Sequence, residues 1–255
     1  MLLVIYAPIL ILAVYSFTDS GNIGSIHGFS MQNYVTLFTK GELRDMIVGT
    51  VLLALVSSLL ATIFGTMGAI GAFYSKKLAK NFINTANQIP VVNADVVTGF
   101  SICVLLIVAF GMNKESYVPL LIGHVVLSAP FVYLSVVPKL KQMDASLYEA
   151  AMDLGASPSM ALRKVVIPQI MPGIVSGFAL AITLSLDDYF IASYTKPATF
   201  NTISTYVVNA TKGSQTEIKT ALWALSTVIF LIVILAVVVM YADLRRISYL
   251  RKHAC

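Results

Sequence analysis

Three carboxylates of this sequence stand in stretches that are otherwise largely apolar: Asp95, Asp187 and Asp188. An ionised carboxylate surrounded by hydrocarbon is costly unless it faces water, a partner or a ligand. No Lys or Arg lies deep in any apolar stretch, so the compensating charge must come from a second chain, an incoming cation or a proton. On a helix, neighbouring side chains point about 100° apart. One of Asp187 and Asp188 then faces a path while the other packs or hydrogen-bonds. Tyr189, Tyr194 and Trp223 offer ring faces for cation–π contacts, and spaced carboxylates with aromatic faces suit a flexible polycation. The structural alternative is internal hydrogen bonding, or a position near a membrane interface, where aromatic residues collect. His124 is alone in its stretch and reads as an interhelical hydrogen-bonding group, and no Cys/His spacing forms a metal site.

A second constellation is polar and regular. Within Lys139–Gln169, Ala145–Leu154 favours helix through Ala, Leu, Met and Glu. Gly155 supplies the residue most tolerant of left-handed geometry at a helix C-terminus. Ser157 can cap a new helix that has Pro158 at its first position, and Pro168 is expected to limit its extension. Ala150 and Ala151 leave a low surface for another protein to approach, with Glu149 and Asp153 four residues apart on one face. The plain alternative is a solvated connector whose acids pair with neighbouring bases.

The elements that must position these residues follow from composition. Of 255 residues, 58% are hydrophobic and 11% charged, and mean hydropathy is +0.84. Soluble domains carry about 25% charge, so a water-soluble globular enzyme is excluded, as is a disordered chain. Cys103 and Cys255 form no disulfide framework. A bilayer core of about 30 Å needs about 20 apolar residues per helix. Six runs meet that need: Leu2–Phe17, Met46–Ser75, Phe82–Gly111, Tyr117–Pro138, Met171–Thr195 and Thr220–Ala242. The first lacks a basic leader and a small-residue cleavage site, which favours a retained helix over a signal peptide.

Alternating the loops between two sides puts 11 basic residues on one face and 6 on the other. The positive-inside bias makes the richer face, which carries Lys139–Gln169, cytoplasmic, along with both termini. The net charge of +5 then reads as basic loops facing an anionic membrane surface rather than nucleic acid. On the other side, Met31–Phe38 forms a possible amphipathic stretch, Gly111–Ser116 a tight turn, and Pro197–Glu217 a longer polar loop with an apolar patch at Tyr206–Val208. The aromatic residues of Phe29–Phe38 are expected at the interface. Nothing splits the chain, so residues 1–255 read as one transmembrane domain of all-α class.

Glu149-Ala150-Ala151, three residues, Gly155, nine residues and Val165-Val166-Ile167-Pro168 together resemble the EAA loop of ABC-importer permeases, Glu-Ala-Ala, x3, Gly, x9, Ile-x-Leu-Pro. Both spacings match; Val165 and Ile167 are the departures. The resemblance implies the type I, MetI-like permease fold with six transmembrane helices. It also implies that Glu149, Ala150, Ala151, Asp153 and Gly155 belong to a hook docking into a separate ATPase subunit. Shorter matches at Tyr6-Ala7-Pro8, Asn33-Tyr34, Pro90 with Asp95, Asp153-Leu154-Gly155-Ala156-Ser157 and Leu184-Ser185-Leu186-Asp187-Asp188 resemble the polyamine branch of that family. The resemblance further implies two ATPase subunits, a second permease chain and a soluble polyamine-binding protein outside.

No Gly-rich Walker A sequence occurs, so ATP and Mg would belong to the partner ATPase and this chain would hold no cofactor. Three alternatives stand: a permease for another solute, a self-contained proton-coupled carrier or channel, and a membrane enzyme. The last is disfavoured by the lack of a Gly-x-Ser-x-Gly elbow or a His-Glu-x-x-His helix, and because adjacent aspartates diverge on one helix.

Overall fold

The computed structural model describes residues 2–18, 28–144, 146–212, 222–228, 230–231 and 234. Helices dominate the described residues, and the only extended pairing is an isolated bridge between Thr18 and Phe29. Packing divides the chain into two units, Met1–Asp45 with Val207–Cys255, and Met46–Tyr206.

In the first unit, α1 (Leu2–Ser16) is apolar along its length and is followed by α2 (Gln32–Thr39). The last carbonyls of a helix have no partner within it. Buried Asn33 meets this need, its amide donating to Ser16 O at 3.0 Å and Thr18 O at 2.9 Å. Ser16 Oγ lies 2.8 Å from Tyr34 Oη, and the Phe17 ring packs on Phe29 and Tyr34. The expected amphipathic stretch is thus a helix that seals the end of α1. Phe29 and Phe38 remain largely exposed. Residues 222–228 are helical, with the Trp223 ring edge-on to Tyr15 at 5.5 Å. Most of the expected sixth run, together with Cys255 and the basic residues Arg245, Arg246, Arg251 and Lys252, lies outside the described residues.

The helices of the second unit begin with α3 (Gly41–Tyr74), which enters it at Met46. Then come α4 (Lys77–Val92), α5 (Asp95–Cys103) continued by a π segment Val104–Ala109, and α6 (Val118–Gln142). They are followed by α7 (Ser146–Asp153), α8 (Pro158–Ala161), a π segment Leu162–Val166, α9 (Ile167–Asp187), α10 (Phe190–Thr195) and α11 (Ile203–Lys212), which leaves the unit after Tyr206. Among the described residues, three helices are long and apolar enough to cross a bilayer: Gly41–Tyr74, Val118–Gln142 and Pro158–Asp187. Their mutual packing uses small residues, which let backbones approach. A Cβ on Gly65 would stand 2.7 Å from Ala129 O, and one on Gly177 would stand 3.1 Å from Val132 Cγ1. Ala61, Ala69, Ala72, Val132, Val136, Leu140 and Ile170 fill the core between them.

Four expectations need correction. The run Phe82–Gly111 is not one straight span: α4 and α5 meet at 106°, with Asn93 and Ala94 in extended backbone. The apolar run continues across this break, so hydropathy does not reveal it. Pro168 does not limit the helix that starts at Pro158, which runs unbroken for 30 residues to Asp187. Proline removes one i→i−4 bond, and here the π segment absorbs the misfit, Ile167 N bonding to Leu162 O. The stretch Met171–Thr195 is interrupted at Asp188, whose backbone is extended. The loop after Pro197 contains α11, which takes up the Tyr206–Val208 patch.

Candidate functional site: a hook joined to an acid-bearing break

The hook begins where α6 ends, with Lys139 and Lys141 in the last turn of that helix. Asp144 Oδ1 accepts from Ser146 N at 3.0 Å and from Ser146 Oγ at 2.8 Å, starting α7. These bonds, chiefly the backbone one, hold the Asp144 carboxyl below its ordinary value. At the other end Gly155 has φ +86°. Ala156 N bonds back to Ala151 O at 3.0 Å and Gly155 N to Met152 O at 2.9 Å, so a left-handed residue closes the helix as its position in the sequence predicts. Ser157 Oγ then accepts Met160 N at 3.3 Å, with Pro158 at the first helical position.

No residue of α7 is buried. Glu149, Ala150 and Asp153 are exposed and Ala151 is half-buried, and beside them Leu154 is 90% exposed. A helix presenting carboxylates, two alanines and a bare leucine has the chemistry of a docking surface. Its inner side is fixed by Tyr148, whose ring lies 5.0 Å from that of Tyr74 at the end of α3. The hook proper is shorter than Lys139–Gln169: its two limbs are the ends of long helices, α6 on one side and the helix Pro158–Asp187 on the other.

That second helix leads from the hook to the acids. Asp188 ends it and begins α10: Oδ1 accepts Ile191 N at 3.2 Å and Oδ2 accepts Ala192 N at 2.7 Å. Asp187 and Asp188 therefore do not share a helix, and Asp188 is buried as a cap while Asp187 is exposed. Asp188 Oδ2 also lies 3.7 Å from Nε2 of fully buried His124. The other ring nitrogen, Nδ1, meets Ser185 Oγ at 2.8 Å, and Ser185 meets Ser57 at 3.1 Å, so α3, α6 and α9 are tied by one polar chain. His124 is the interhelical hydrogen-bonding group its isolation suggested. Ser57 is not singled out by the sequence, where its one signal is a serine in a run without any charge, and Ser185 stands there only as part of the Leu184–Asp188 match.

Helix α5 packs beside α10. Gly99 leaves room for Ile191, where a Cβ would stand 3.0 Å from Ile191 Cα, and Cys103 Sγ reaches Tyr194 O at 3.3 Å. The two helices thus run in the same direction and their N-termini converge. Asp95, in the first turn of α5, and Asp187 both lie close enough to Asp188 to act on it electrostatically. An acid at each N-terminus complements the helix dipoles. Asp95 and Asp187 are exposed and have no ion pair among the described residues. Tyr189 is half-exposed beside Phe190, and Tyr194, one turn along α10, has its ring edge-on to Phe100 at 5.8 Å. The structure brings together the three aspartates and Tyr189; Trp223 belongs to the other unit, against Tyr15.

A chain of apolar spanning helices, with an exposed Glu-Ala-Ala hook before the last long one among the described residues, is a membrane component of a transport machine. The chain belongs to the family described as binding-protein-dependent transport system inner membrane component, whose profile matches residues 61–248. It is a permease subunit of an ABC importer. It is similar to the spermidine/putrescine transport system permease protein PotC of Escherichia coli (strain K12), 28% identical over 232 residues, which cover 91% of this chain and 87% of that one. The PotC of Haemophilus influenzae is 30% identical over 227 residues, 89% and 88% of the two chains. The putrescine transport system permease protein PotI of Escherichia coli (strain K12) is 31% identical over 231 residues, 88% and 81%. Among solved structures, a bacterial ABC transporter involved in import of the acidic polysaccharide alginate matches with TM-score 0.71 and 18% identity, over 93% of this chain and 89% of that one. This likeness establishes the fold alone.

Proposed function

We propose that this permease carries polyamines, spermidine or putrescine, into the cell by alternating access. It is one transmembrane domain of six spans in the bacterial plasma membrane, with both termini and the hook cytoplasmic. It would work with two PotA-like ATPase subunits that bind ATP and Mg, a PotB-like second permease and a PotD-like binding protein outside. Closure of the ATPase pair moves the hook, and the long helix behind it transmits that motion. The observation that carries this reading is the continuity of Pro158–Asp187: one 30-residue helix has the hook at its start and the acid cluster at its end. At about 1.5 Å per residue that is a lever of about 45 Å.

A cation arriving at the N-terminal ends of α5 and α10 meets two exposed carboxylates, Asp95 and Asp187, with Tyr189 alongside. Asp188 fixes the start of α10, and with it Tyr189, through its cap. The polyamine relatives support the substrate class, and the solvated acids at converging helix ends support its charge.

The deciding experiment is ATP-dependent uptake of labelled spermidine by the reconstituted complex, comparing Asp187→Asn and Asp188→Asn singly with the unaltered protein. Equal transport by all three removes the proposed site. Unchanged uptake and assembly after substitution of Glu149 and Gly155 removes the coupling role. The buried Asp188–His124 pair favours one rival, a proton-coupled carrier acting alone; uptake by this chain in liposomes under a pH gradient, without an ATPase, would establish it.

A further inference from the structure

Away from the acids and from the docking face of the hook, a cleft open to the surface lies between α3, α4 and α6. Its polar wall is Lys80 and Asn84 of α4 with Tyr133 and Lys141 of α6, over a floor that includes Ala69 and Phe73 of α3. The Lys80 ammonium stands 5.9 Å from the centre of the Phe73 ring. The Tyr133 hydroxyl donates to Asn84 Oδ1, which leaves the Asn84 amide hydrogens as donors toward the cleft. No carboxylate lines it, and neither lysine has an ion pair among the described residues.

Two ammonium groups from different helices, an amide donor and no acid make a receptor for an anion. The apolar floor adds a preference for an anion that carries hydrocarbon. Helix α4, which forms one wall, has no buried residue and bares Leu78 (86% exposed) and Phe82 (74%), beside a basic start at Lys76, Lys77 and Lys80. Asn87 Nδ2 donates to Pro130 O at 3.4 Å, so α4 runs antiparallel along the spanning helix α6 with its basic start at the same end as Lys139 and Lys141. Basic pockets between membrane helices on the cytoplasmic side hold lipid headgroups. We infer that this cleft binds the phosphate of an anionic phospholipid from the cytoplasmic leaflet. The inference rests on the proposed topology only for the choice of leaflet. Through Tyr133 and Leu140 the site adjoins the core on which the hook rests, since Tyr148 packs against that same core.

The test uses the assembled permease–ATPase complex, delipidated in detergent and titrated with phosphatidylglycerol, with bound lipid counted by native mass spectrometry. The double variant Lys80→Gln/Lys141→Gln is expected to bind roughly 30-fold more weakly, at roughly fivefold per lysine near an anionic surface. The double variant Lys76→Gln/Lys77→Gln, with the same net charge but substituted outside the cleft, is expected to change little. Equal weakening of both, or of neither, overturns the site. Displacement of the lipid by millimolar inorganic phosphate would make the occupant a soluble phosphate and overturn the lipid assignment. Labelling of Lys77→Cys by an impermeant maleimide from outside intact cells would overturn the leaflet. None of these readouts requires polyamine uptake, so failure of the transport reading is seen separately.

Discussion

Asp188 Oδ2 accepts the backbone N–H of Ala192 at 2.7 Å, so a carboxylate that hydropathy marks as a ligand is already engaged by its own chain. Its neighbour Asp187 is not. The two should part company on mutation. Asp188→Ala removes the cap of α10 and is expected to destabilise the complex by about 1 kcal/mol. Asp187→Asn leaves stability unchanged and raises the polyamine concentration needed for half-maximal uptake at least roughly tenfold, the effect of losing about 1.4 kcal/mol of charge pairing. Thermal unfolding and uptake kinetics on the same preparations separate them.

Gly155 closes α7 at φ +86°, where a side chain is strained. Gly155→Val is expected to cost at least about 1 kcal/mol locally and to lower ATP-dependent uptake, while Gly155→Asn is milder because Asn tolerates this region. Co-purification of the ATPase with each variant checks the result.

A side chain at Gly177 would press on Val132, and one at Gly65 on the carbonyl of Ala129. Gly177→Leu and Gly65→Leu are each expected to cost about 1–3 kcal/mol by forcing the helices apart. Gly71, whose Cβ would meet nothing within 4 Å, provides the control. Melting of the detergent-solubilised protein gives the comparison.

Asp144 starts α7 through two bonds from Ser146, and they hold its carboxyl below the ordinary 3.8. A carboxyl depressed in the folded state contributes its full stabilisation above the ordinary value and loses it as pH falls through the lowered one. The amides of α7 are therefore expected to keep their protection from about pH 7 down to about pH 4 and to lose it below. In Asp144→Ala they are already less protected at neutral pH. Hydrogen exchange of the α7 segment reads both.

What could be read from the chain alone divides by range. Gly155, Ser157 and Pro158 act within one turn of themselves, and each behaves as its type dictates. The long helices α3 and α6 follow their apolar runs. The break at Asn93–Ala94 is hidden because the valine pairs 91–92 and 96–97 on either side keep the averaged hydropathy high in spite of Asn93 and Asp95. Pro168 misled because its effect depends on whether the turn before it can widen. Asp188 misled in the opposite direction: Asp is a helix-capping residue type, a role hidden by a stretch apolar enough to read as one helix. The meeting of His124 with Ser185, 61 residues apart, required the fold itself.

The right-angled joint between α4 and α5 has a last implication. Ala94 leads into α5 without a side-chain cap, so the first amides of that helix point outward unsatisfied, unlike those of α10. Hydrocarbon does not tolerate such groups; they persist at membrane depth only against protein or water. Beside exposed Asp95, the joint therefore calls for a polar neighbour, a second chain's side chain or water reaching it, whether or not a substrate is present.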